Sequence, residues 1–161
     1  MKLFNLALIL ILNYSFASEK INPMESNEKT KISSFNKVLM KYEKLHQSFF
    51  ENDLSKIKES SKILLSNIEA IKDDKISKTL NYTKKKLEEI IASEDLEKNQ
   101  EAMNIVSQGI LVVLEKQFPN KNYARYYCPM VNKYWIQYLS KSEKVMNPYA
   151  SKSMPHCGEK K

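Results

Sequence analysis

The chain has 161 residues, a formal net charge of +7 and only two glycines, with 28% of its residues charged. That length suits one ordinary domain, and a chain so poor in glycine has no Gly-rich phosphate loop to offer a nucleotide. The basic balance is compatible with nucleic acid, but the lysines alternate with glutamates along helical patterns, as in Lys41, Glu43 and Lys44, which describes a solvated helix surface.

The first residues carry Lys2, then a mostly apolar run from Leu3 to Phe16, with Ser15 and Ala17 at the small positions before a cut. This pattern predicts a secretory signal peptide over 1–17. The run is shorter than the roughly 20 apolar residues of a membrane helix. Ser18 stands where a lipoprotein would need cysteine, so the expectation is a periplasmic or secreted protein with no integral span after cleavage and no nucleic-acid partner.

Residues 18–30 are polar and read as a flexible lead to a single helical domain over 31–161. The apolar residues Ile32, Phe35, Leu39, Tyr42, Leu45 and Phe49 recur at three and four residues and predict a first helix, stopped at Asn52 or Asp53. A second carries Leu54, Ile57, Leu64, Ile68 and Ile71, its stripe weakened at Ser60 and Ser61. Asp73 and Asp74 open a third, which buries Ile76, Leu80, Leu87 and Ile91. Ser93 caps a fourth, with Leu96, Met103, Val106, Ile110, Val113, Leu114 and Phe118 inward, ended by Pro119. Short connections predict an all-α fold, an antiparallel up-and-down four-helix bundle.

From residue 119 the composition changes, since four of the five prolines and six of the nine tyrosines fall there. The expectation is an irregular, aromatic-rich C-terminal wrap packed on the bundle, with a short strand near "ARYYCP".

Signs of catalysis are sparse. The chain has only His46 and His156, and no nucleophile elbow or helical histidine pair, so a non-enzymatic protein is expected. The triplet Asn81, Tyr82 and Thr83 fits a glycosylation acceptor but falls within a helical pattern. The tail, in contrast, gathers Cys128, Met130, Met154, His156 and Cys157, with Met146 nearby. Thiolate, thioether and imidazole together suit a soft cation such as copper(I). A second reading is a disulfide between Cys128 and Cys157, the usual fate of two cysteines in an exported protein. In that case Tyr134, Trp135, Tyr138 and Tyr149 become an interaction surface for a partner protein.

The order Cys128-Pro129-Met130, Trp135, Asn147-Pro148-Tyr149, Met154 and Cys157-Gly158 resembles the tail of an exported bacterial family, domain of unknown function 3347. Upstream, "YEKLHQSFFENDLSKIKESSKIL" looks like that family's first helix pair, and Ser107 stands at the position of a characteristic serine. The chain departs from the pattern at Ser151, where the family has glycine, and at His156. The resemblance implies a helical, exported, non-enzymatic protein. It further implies association with periplasmic efflux components for copper and silver, and so a soft-metal binding or efflux-accessory module.

Overall fold

A computed structural model of the chain describes residues 23–139 and 144–161, with side chains from residue 27 onward. Residues 1–17, where a signal peptide is expected, lie outside the described residues. Five helices come first: α1 (Pro23–Glu51), α2 (Leu54–Glu69), α3 (Asp74–Thr79), α4 (Asn81–Ala92) and α5 (Leu96–Lys116). Three strands follow, β1 (Tyr123–Cys128), β2 (Lys133–Tyr138) and β3 (Glu159–Lys160).

The all-α expectation is therefore corrected. The described residues are 61% helical, but the last quarter of the chain builds a three-stranded antiparallel sheet in the order β2-β1-β3. The reason is visible in the residues themselves. "YARYYC" and "KYWIQY" are rich in ring side chains that suit a pleated surface. They are separated by a turn in which Asn132 takes φ 53°, a left-handed conformation that asparagine tolerates well. Tyr126 then lies opposite Trp135, and Cys128 opposite Lys133.

Two helix boundaries also differ from expectation. The lead assigned to 18–30 is helical from Pro23, a residue suited to the first turn, where no N–H partner is needed. The third helix breaks at Leu80, whose ψ of 5° ends α3 and starts α4. α4 then buries Thr83, Leu87 and Ile90, and Ile91 stands to the side. Thr83, the last residue of the acceptor triplet, is buried against α5, where a Cβ on Gly109 would lie 2.0 Å from its Oγ1.

The aspartates start helices as their chemistry suggests. Asp53, Asp73 and Asp95 each accept from backbone N–H groups of the first turn. Asn52 supplies the left-handed residue that ends α1, at φ 54°. Ser60 and Ser61, which weaken the stripe of α2, are buried, and the Ser60 hydroxyl returns to the Lys56 carbonyl at 2.6 Å.

In space α1 neighbours α2, α2 neighbours α4, and α4 neighbours α5, while β2 lies against both α5 and α1. The sheet thus covers the side of the helical body that α1 and α5 leave open. Its contribution to the core is Ala124, Tyr126, Cys128, Trp135 and Ile136, joined by Tyr149. The outer edge of β2 is finished by helix side chains. Ile136 N–H donates to the Tyr42 hydroxyl at 3.1 Å and Tyr134 N–H to Asn104 Oδ1 at 3.0 Å. Backbone groups that would otherwise face another strand are satisfied within the chain.

Candidate functional site

Alternation along β1 turns Ala124, Tyr126 and Cys128 toward the core, and Cys128 is fully buried. Cys157 arrives from the tail through a turn in which its N–H donates to the Met154 carbonyl at 3.1 Å. The two sulfurs face each other with Sγ atoms 2.6 Å apart. The Cys128 sulfur, together with desolvation, pushes the Cys157 thiol up from its ordinary range. A thiol held protonated in this way is a poor nucleophile.

The next residue explains how the tail reaches this place. Gly158 has φ 155°, and a Cβ there would sit 2.4 Å from Cη2 of Trp135. Glycine alone lets the backbone lie on the indole ring. Trp135 itself stacks on Tyr126 with centroids 5.7 Å apart and meets Tyr149 edge-on at 6.1 Å. Asn147, fully buried, donates from Nδ2 to the Cys157 carbonyl at 2.9 Å and accepts from Tyr149 N–H at 2.9 Å.

Beneath this lid runs a buried polar chain. Ile136 N–H donates to Tyr42, and Ser107 donates to the Met103 carbonyl at 2.8 Å. The Tyr42 hydroxyl therefore donates to Ser107 Oγ, 2.7 Å away. Tyr149 donates to the Tyr134 carbonyl at 2.7 Å, with its oxygen 3.4 Å from Ser107. Burial raises the ionisation of both Tyr42 and Tyr149 well above the usual phenol range, so both stay neutral hydrogen-bonding groups. Ser107 thus joins α1 to α5, with the Tyr149 oxygen of the tail lying against it.

The soft-metal donors are gathered only in part. Cys128 and Cys157 meet, and Met154 is half-buried one turn before Cys157. Met130, however, is 70% exposed in the hairpin turn. His156 is exposed, with Nδ1 2.7 Å from the Val145 carbonyl. Among the described residues no group of three His, Cys, Asp or Glu side chains is placed to hold a metal ion.

The aromatic display surface is also corrected. Trp135 and Tyr149 belong to the core, Tyr134 is half-buried, and of the four only Tyr138, at 43%, is well exposed. Large rings in a chain this size fill the space between sheet and helices, where their area is removed from water.

Sequence reasoning left out Gln137 as an organiser of the tail, and gave Asn147 and Ser107 a place only through resemblance. A polar residue such as Ser107 on the inward face of an apolar helix was the available signal. His46 is buried, with Nε2 2.8 Å from the Met146 carbonyl, and burial pushes it down to about 4. It lines a cleft of about 410 Å³ that His156 also borders. Another cleft, of about 670 Å³, lies nearer the start of α1, where Lys31 pairs with Asp73 at 2.8 Å.

No family model, no curated protein and no solved structure matches this chain. No helix among the described residues is long and apolar enough to cross a membrane.

Proposed function

We propose that this is an exported, non-enzymatic binding protein whose C-terminal cap is stapled by a Cys128–Cys157 disulfide and which docks on a partner protein. The observation that carries this reading is the approach of the two sulfurs to 2.6 Å beneath the Tyr126 and Trp135 rings. Closing the bridge removes two protons and two electrons from the thiols, taken up by a disulfide-donating oxidant of the export compartment. The raised Cys157 thiol supports a structural bond over a reactive one. The partner class follows from the family resemblance of the tail: a periplasmic component of copper or silver efflux.

The test is mass spectrometry of protein taken from its native compartment and alkylated without reductant. The staple predicts a mass two hydrogens below the dithiol and no alkylation. Two alkylated thiols would refute it.

Soft-metal binding is the second reading, favoured by one observation: two thiol sulfurs converge, and one of them, on Cys157, is only half-buried. The reduced pair would offer a soft monovalent cation two sulfur donors. Copper(I) titrated into reduced protein against a chromophoric chelator should then bind in a 1:1 ratio, and a Cys128→Ser, Cys157→Ser double variant should not compete. Equal competition by parent and variant would remove this reading.

A further inference from the structure

The segment 144–147 is held almost entirely by side chains. Gln137 Nε2 donates to the Lys144 carbonyl at 2.7 Å, and Gln137 Oε1 accepts from Met146 N–H at 2.9 Å. The Val145 carbonyl meets His156 Nδ1 at 2.7 Å, and the next carbonyl, of Met146, meets His46 Nε2 at 2.8 Å. Among the described residues, the backbone-to-backbone bond that anchors this segment is from Asn147 N–H to the Pro155 carbonyl. Both histidines of the chain therefore pin consecutive carbonyls of one strap, which forms a wall of the 410 Å³ cleft.

We infer that 144–147 is an acid-released strap: protonation of His46 lifts it from α1 and opens the cleft while the helical body stays folded. With Nε2–H already donating to Met146, an added proton must go on Nδ1, and it turns a buried ring into a cation. The charged and titratable groups bordering the cleft do little to accommodate it. From α1, Glu43 has its carboxylate engaged by the Tyr123 hydroxyl. From β2 comes the hydroxyl of Tyr138, and from the tail come Lys144, of like charge, and His156. The Met146 carbonyl favours the charged ring, but by less than burial disfavours it, and the fuller solvation comes from water, which reaches His46 when the strap lifts.

The direction follows from the closed state. Burial depresses His46 from 6.5 to about 4 while the strap is down. Closure is therefore fully favoured above pH 6.5, and its advantage is lost as pH falls toward 4. The difference corresponds to a shift of roughly 300-fold in the ratio of closed to open strap.

The chain carries its own reporter. Trp135 is the only tryptophan, and its Nε1 lies 3.4 Å from the Gln137 oxygen that holds the strap. Tryptophan emission and far-UV circular dichroism of the signal-cleaved protein are followed as pH is lowered from about 7.5 to about 3.5. The expected result is a red shift with a midpoint between 6.5 and 4 and an unchanged helical signal. His46→Gln, which can still donate to Met146 but takes no charge, should remove the shift, whereas His156→Gln should keep it. A flat emission curve in the parent, the same midpoint in His46→Gln, or helix loss at that midpoint would overturn the inference. If His46→Gln fails to fold, amide exchange in the parent decides. The Met146 and Asn147 amides should lose protection on acidification, after correction for intrinsic rates, while α5 keeps its own. Equal retention in both would also overturn it.

Discussion

The helical body and the C-terminal cap are held together differently. The body relies on repetition: Phe35, Leu39 and Leu45 on α1, Ile57, Leu64 and Ile68 on α2, and Met103, Val106 and Ile110 on α5 are all buried. Each stripe is one of several, so no single residue specifies the arrangement. The cap relies on individual pairings across long separations, such as Tyr42 with Ile136, His46 with Met146 and Gly158 with Trp135. Loss of a partner there leaves a buried group unsatisfied or a ring uncovered. The body tolerates exchange of one apolar residue for another, whereas the cap is sensitive to single atoms.

Five substitutions break or sharpen that contrast, from the largest expected effect to the smallest. Trp135→Ala removes the ring on which Tyr126, Tyr149 and Gly158 pack, and should cost about 3–5 kcal/mol in urea unfolding. A cost below about 1 kcal/mol would make the cap an appendage to the body. Opening the proposed bridge by Cys128→Ser should lower stability by about 3–4 kcal/mol under oxidising conditions and change little more in strong reductant. Tyr42→Phe strands the Ile136 N–H and should cost about 1–3 kcal/mol. Ser107→Ala leaves Tyr42 its backbone donor, so thermal melting should rank it above Tyr42→Phe in stability. At the small end, Lys56→Ala removes exposed pairs with Glu51 and Asp53 and should leave the melting temperature unchanged within error.

The same contrast explains what could be read in advance. The stripes of α1, α2 and α5 were legible because helical periodicity writes burial directly into spacing, and the caps at Asp53 and Asp73 were legible because their chemistry is local, whereas α5 is capped by Asp95 and not by the expected Ser93. The break at Leu80 was not, since no Pro or Gly marks it and the apolar spacing runs on through it. The sheet was foreseen only as a short strand near Cys128. Its second strand, "KYWIQY", buries three successive residues, Trp135, Ile136 and Gln137, so it lacks the alternation that announces a half-buried strand. At the site, the meeting of Cys128 and Cys157 was expected from their number and setting. The exposure of the Met130 and His156 side chains was not, because residue type gives donor chemistry and says nothing of direction.

The bond from Ile136 N–H to Tyr42 joins residues 94 apart, and that from His46 to Met146 spans 100. Such distant closures come late and slowly in folding, because the intervening loop must first be ordered. A ribosome makes the helices before the segment that covers them. Until the last strands emerge, the groove occupied by Tyr126, Trp135 and Ile136 in the finished protein is without its lining. The nascent chain is then at its stickiest, and a holding chaperone would have a surface to grip. Once Tyr42 has taken the edge of β2, that surface is gone.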